Sequence, residues 1–131
     1  MHLFYKLKPI HKFKRYNHVD IQYVSDVHVD YKNYIPNIKP DAKYLVVCGD
    51  LGVPTHDNVK KFININSKQF ERVFIVAGNH DYGCSAVYND KHIDFYKKTL
   101  QNECDEYDNV HFLDKTHYAL TQNIMIAGTT L

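Results

Sequence analysis

Sixteen lysines and arginines against fifteen aspartates and glutamates leave this 131-residue chain with a formal charge of +1. Bulk charge thus argues for neither a nucleic acid nor a membrane surface as a partner. At 44% hydrophobic the chain is long enough for one domain with a real core. Its three cysteines, Cys48, Cys84 and Cys104, form no C-x-x-C pair, which speaks against a disulfide framework or a zinc finger and for a reducing compartment. The start of the chain is too charged for a secretory leader, and nowhere do 18 apolar residues run together. The expectation is a soluble, cytoplasmic protein.

Residues 1–18 mix Lys6, Lys8, Lys12, Lys14 and Arg15 with Phe4, Tyr5, Phe13 and Tyr16. Cations interleaved with aromatics suit a nucleic-acid or phosphate-binding arm, and equally a solvated extension with a few docked aromatics. Val19 to Ser25 alternates in a way that predicts the first strand, one face more buried than the other. Asp26 to Lys39 carries the breakers Asn33, Pro36 and Asn37 and reads as loop. Lys43 to Cys48, apolar on both faces, suits the middle of a parallel sheet. Thr55 to Phe70 reads as a helix, with Thr55 as N-cap and Val59, Phe62, Ile63 and Phe70 on its inner face, although Asn64, Asn66 and Ser67 weaken the propensity. Arg72 to Ala77 is the third strand.

After a turn at Tyr82-Gly83, Tyr88 to Cys104 predicts a second helix. Asn109 to Leu113 predicts a short strand, and Tyr118–Thr121 with Ile124–Ala127 a hairpin around Gln122-Asn123. Strand–helix–strand alternation points to right-handed crossovers and a parallel sheet. The fold class is α/β, with an extension at 1–18 and one domain at 19–131.

Three of the strands end in chemistry. Tyr23-Val24-Ser25 leads into Asp26-Val27-His28, Val47-Cys48 into Gly49-Asp50, and Val76-Ala77 into Gly78-Asn79-His80-Asp81. Polar groups at the ends of parallel strands are where open α/β sheets place their sites. Asp26 and His28, two residues apart, face one mouth if the chain stays extended, and a carboxylate with an imidazole suits manganese, iron, zinc or nickel. Asp50 adds a carboxylate beside a glycine that lets the backbone turn, and Asn79 an amide oxygen. His80 and Asp81 together resemble an imidazole oriented by a carboxylate. Taken singly, Asp26 and Asp50 fit turns, Asn79 fits a left-handed residue, and His28 fits a packed histidine. Their coincidence at three strand ends favours a site.

This ordered set, Asp26-x-His28, Gly49-Asp50 and Gly78-Asn79-His80-Asp81, with Ser25 ahead of it, resembles the calcineurin-like metallophosphoesterase family. The stretches 109–113 and 126–131 are similar to the strands that follow that family's second helix. The resemblance implies a sandwich of two sheets flanked by helices. It also implies two divalent metal ions at the strand ends, about 4 Å apart, acting on a phosphomonoester or phosphodiester. Asp26 and His28 would hold the first metal, Asp50 would bridge both, and Asn79 would hold the second. His80 would stabilise the transition state or protonate the leaving oxygen, with Asp81 orienting it.

The family's pattern continues with a further histidine and a Gly-His-x-His pair, and nothing in these 131 residues matches them. His111 and His117 come too early and fall in an ordinary strand and loop. The chain therefore reads as the N-terminal portion of such a domain: a truncated gene, a fragment, or a protein completed by another chain. A short second sheet is expected, with an open edge suited to self-association and an uncovered apolar face. Two function classes stay open, a metal-dependent phosphoesterase and a non-catalytic remnant that binds metal, phosphate or a partner protein. Cys84, just past the third motif, fits a plain loop cysteine and, as a soft thiolate, a ligand.

Overall fold

The computed structural model describes residues 18–83 and 92–130. The basic segment before His18, Cys84 and the expected helix start at Tyr88 lie outside the described residues. Four parallel strands form the main sheet in the order β1 (Ile21–Val24), β2 (Tyr44–Cys48), β3 (Arg72–Val76), β4 (Val110–Phe112). Helix α1 (Asp57–Gln69) joins β2 to β3, and α2 (Ile93–Asp105) lies between β3 and β4. A hairpin of β5 (Thr116–Ala119) and β6 (Met125–Gly128) makes a separate two-stranded antiparallel sheet. The expected α/β architecture is the one found. The hairpin strands are displaced from expectation, β5 towards the N-terminus, because Thr121 turns the chain by accepting from the amides of Asn123 and Ile124.

Alternation along β2 and β3 sorts side chains to two faces. Leu45, Val47, Val73 and Ile75 are fully buried against Val59, Phe62 and Ile63 of α1 and Leu100 and Cys104 of α2. Both helices therefore cover one face, and Lys60 of α1 meets Glu103 of α2 at 2.8 Å. On the other face Val46, Phe74 and Leu113 pack against Tyr118 and Ile126 of the hairpin. The hairpin does not reach across the sheet. Ile21 and Tyr23 of β1 share this second face through their register with Tyr44 and Val46, and Tyr23 is 75% exposed. The more buried side of β1 is thus the Gln22 and Val24 side, facing the helices. Ile21, at 40% exposure, and Tyr23 are the exposed apolar side chains of β1 on this face.

Histidine, not threonine, caps both helices. His56 Nδ1 accepts from the Asn58 amide at 3.2 Å and His92 Nδ1 from the Asp94 amide at 3.3 Å, while Thr55 is exposed one residue too early. The polar residues expected to weaken α1 find partners for their donors, although the buried Oδ1 of Asn66 has no partner among the described residues. Asn66, fully buried, donates to the Phe62 carbonyl, Ser67 to that of Asn64, and Asn64 to the Tyr107 hydroxyl.

On the hairpin face His111 is stacked on Phe74 at 5.4 Å and lies 4.4 Å from the Tyr118 ring, with Arg72 over Tyr118 at 5.0 Å. Its buried Nε2 has no hydrogen-bond partner among the described residues. Desolvation, and then the Arg72 charge, hold its pKa below the usual histidine value. A depressed folded-state pKa means a stability contribution present above the unfolded value near 6.5 and lost as pH falls through the folded one. His111→Phe removes both the titration and the orphaned nitrogen. Thermal melts should show the variant gaining on the parent between pH 7.5 and pH 5; parallel acid limbs would contradict this.

Candidate metal centre

The ends of β1, β2 and β3 are zipped together beyond the strands themselves. The amides of Asp26, His28 and Val29 donate to the carbonyls of Gly49, Asp50 and Leu51 at 3.1, 3.0 and 2.8 Å, and that of Gly49 to Val76 at 2.9 Å. Along this seam Asp26, His28 and Asp50 all have left-handed backbones, with φ of 53°, 47° and 52°. Residues other than glycine enter that region at a cost, so three together mark a locally over-determined structure.

The turns bring ligand atoms of Asp26, His28 and Asp50 within 4.8 Å of one another, and those of His28, Asp30 and His80 likewise. His28 belongs to both sets. Its Nε2 lies 3.9 Å from Asp50 Oδ2, and its Nδ1 is buried with no hydrogen-bond partner among the described residues. The nitrogen facing a carboxylate is Nε2, and an imidazole beside carboxylates suits a divalent cation. The donor set of oxygens and imidazole nitrogens fits the same class of ion. These are candidate His/Asp metal ligands.

The third strand end meets this cluster through its backbone. The His80 amide donates to Asp50 Oδ1 at 3.0 Å, and His80 begins a 3-10 turn, His80–Tyr82, closed by Gly83 with φ of 70°. Asn79, just before it, is exposed at the rim. The His80 ring is nearly buried, edge-on to His28 at 4.7 Å and 4.9 Å from the exposed ring of Tyr31.

The expected pairing of Asp81 with His80 is not the one in the structure. Asp81, 1% exposed, accepts from the amides of Gly52 at 2.8 Å and Gly78 at 2.7 Å, tying the loops after β2 and β3 together. Burial pushes its carboxyl up to about 6, against the pull of those two amides and with a further push from the Asp50 charge. The partner of His80 is Asp30, whose Oδ2 lies 2.7 Å from His80 Nε2. Sequence reading passed over Asp30 as loop. The available signal was the alternation Asp26-Val27-His28-Val29-Asp30, whose polar members recur at every second position.

A cavity of about 790 Å³ lies between the ends of β2 and β3 and the hairpin, with Cys48, Val76, His117 and Thr130 in its wall. It takes Gly49, Val76, Ala77 and Gly78 from the strand ends but no carboxylate, so the chemistry is concentrated beside it, not in it. Thr130 donates to the Ala77 carbonyl, which fastens the chain after β6 to the third strand end.

Residues 15–126 match the sequence profile of the calcineurin-like phosphoesterases. An uncharacterised protein of Acanthamoeba polyphaga mimivirus, L509, is 32% identical over 124 residues, an alignment covering 85% of this chain and 43% of that protein. The chain spans less than half the length of the relative it matches. Among the described residues no helix is long and apolar enough to cross a membrane.

Proposed function

Because this chain belongs to the calcineurin-like phosphoesterase family, we propose that its strand-end cluster binds divalent cations and serves the hydrolysis of a phosphomonoester or phosphodiester. The observation that carries the reading is the convergence of ligand atoms of Asp26, His28 and Asp50 within 4.8 Å of one another, on three left-handed residues. Asp26 and His28 would hold one ion, Asp50 two, and Asn79 the second, with manganese, iron, zinc and nickel all suited to the donors. Bound in pairs, such ions supply Lewis acidity towards phosphoryl oxygens and a water made acidic near neutral pH. The protein's own part is positional. The seam of amide–carbonyl bonds fixes Asp26, His28 and Asp50 relative to each other, Asp81 pins the Gly52 and Gly78 loops, and His80, its ring nearly buried beside His28, would meet the substrate phosphate or its leaving oxygen. No side-chain nucleophile is required.

The alternative reading is cation binding without turnover. One experiment separates the two. The chain is titrated with manganese by calorimetry and then assayed against bis- and mono-p-nitrophenyl phosphate, alongside His28→Ala. Phosphoesterase function predicts manganese-dependent release of nitrophenol that His28→Ala abolishes, with at least about tenfold weaker binding. Binding without release supports the second reading. Absence of binding in the folded parent overturns both.

A further inference from the structure

Asp30, grouped above with His28 and His80 among the candidate ligands, is given no role in the proposed hydrolysis, and its surroundings are unusual. Its side chain is fully buried, and among the described residues its one polar contact is Oδ2 at 2.7 Å from His80 Nε2. The other oxygen, Oδ1, has no partner among the described residues. A carboxylate removed from water without full hydrogen bonding is expensive, so a fold that keeps one there holds it for what it touches. What it touches is His80.

The space for this contact is reserved by Gly52. A Cβ at that position would stand 2.8 Å from Asp30 Oδ1 and 3.1 Å from the Val29 side chain, and the backbone there has a φ of +146° that side chains rarely adopt. The same glycine gives its amide to Asp81. Gly52 therefore lets two buried carboxylates approach one loop, with different tasks: Asp81 fastens loop to loop, and Asp30 fastens a ring.

His80 is consequently held at two points. Its amide is on Asp50 Oδ1 at 3.0 Å, and its Nε2 is on Asp30 at 2.7 Å. The first contact ties its main chain to the proposed bridging ligand, and the second fixes the rotation of the imidazole. With Nε2 engaged, Nδ1 is the nitrogen left to face a phosphoryl oxygen. A hydrogen bond from one ring nitrogen to a carboxylate decides which nitrogen carries the proton and how the ring is turned.

We propose that Asp30 is a positioning residue for His80, holding Nε2–H so that Nδ1 is presented to the substrate phosphate. The proposal rests on the phosphoesterase reading for its catalytic half and on geometry alone for its structural half, and the test keeps the halves apart. Long-range proton–nitrogen NMR of the imidazoles in the metal-free 131-residue chain should show His80 with a hydrogen-bonded proton on Nε2. That signal should be lost in Asp30→Ala and altered in the isosteric Asp30→Asn. In manganese-dependent hydrolysis of a p-nitrophenyl ester, Asp30→Asn should lower kcat by about 10- to 100-fold with KM within about threefold, as expected for a misplaced group. It should add nothing further to His80→Ala, and manganese affinity should stay within about twofold of the parent.

A proton on Nδ1 instead of Nε2 in the parent overturns the proposal. So does tenfold weaker manganese binding in Asp30→Asn, which would make Asp30 a ligand in the His28–Asp30–His80 group. Losses that add in the double variant overturn it as well. If the parent binds manganese but hydrolyses nothing, the phosphoesterase reading falls, and the NMR and affinity results decide the place of Asp30 by themselves.

Discussion

Replacing Asp50 with asparagine is expected to reduce manganese-dependent phosphoester hydrolysis to background and to weaken cation binding by at least about 100-fold, while leaving the protein folded. Asp50 stands where the three strand ends meet. Its Oδ1 takes the His80 amide, its Oδ2 faces His28 Nε2 at 3.9 Å, and the amide of His28 rests on its carbonyl. An asparagine keeps the shape and can keep the amide contact through its carbonyl oxygen. What it loses is the negative charge and the second anionic oxygen, the features that let one residue serve two cations. The fold should not suffer. The Asp50 charge is one of the influences that raise the Asp81 carboxyl, so its removal relieves a like-charge contact in the metal-free protein. A melting temperature equal to or above the parent's, combined with lost binding and turnover, is the expected pair of results. Turnover retained in Asp50→Asn would show that the reaction does not run through this centre.

Gly78→Ala should damage the same centre by a steric route. A Cβ on Gly78 would stand 2.1 Å from Asp50 Oδ1, 2.7 Å from the Asp50 amide nitrogen and 2.9 Å from its Cγ. Unlike Gly49, with φ of +86°, Gly78 is not required for an unusual backbone angle; it is required because the second and third strand ends lie so close. Since a main-chain atom is among those struck, a rotamer change cannot relieve the clash, and the Asp50 loop must move away from His80 and Asp81. Overpacking of this kind destabilises by about 1–3 kcal/mol. Urea unfolding should register that loss, and a manganese titration should show affinity falling by roughly 100-fold, in line with a displacement near 1 Å. Gly128→Ala provides the control. Its Cβ would press at 2.7 Å on the side chains of Leu113 and Val76, away from the ligands, so stability should fall while cation affinity stays. Equal affinity losses in both variants would mean that Gly78 acts through general destabilisation.

How much of this could be read beforehand depended on whether a residue's task was local. The apolar runs 44–48 and 72–76 specified their strands because a strand buried on both faces has a nearly continuous signature. Asp26, His28, Asp50 and His80 were legible because they follow such runs directly, so the topology alone carries them to one edge of the sheet. The partner of His80 was not legible. Asp81 is its neighbour in sequence, but the turn at 80–82 sends the two side chains apart, and the carboxylate that reaches the ring comes from 50 residues upstream. The helix caps escaped for a related reason: a histidine accepting through Nδ1 is a rare cap, and Thr55 beside it is a common one. The left-handed angles at Asp26, His28 and Asp50 were marked only faintly in residue type: aspartate and histidine are enriched there, but both are also common as turn formers and ligands.

Those three angles also bear on how the protein must have been shaped. Each holds its residue in a conformation that disfavours it by roughly 1 kcal/mol or more, whereas a glycine would sit there almost freely. If residues 26, 28 and 50 hold the proposed cation, the glycine that would relax the backbone and the side chain that would serve as ligand are in conflict there. A lineage freed from any need for the cation would have an easy downhill route, one glycine at a time, towards a sturdier and chemically silent protein. This chain stands at the top of that slope at all three positions.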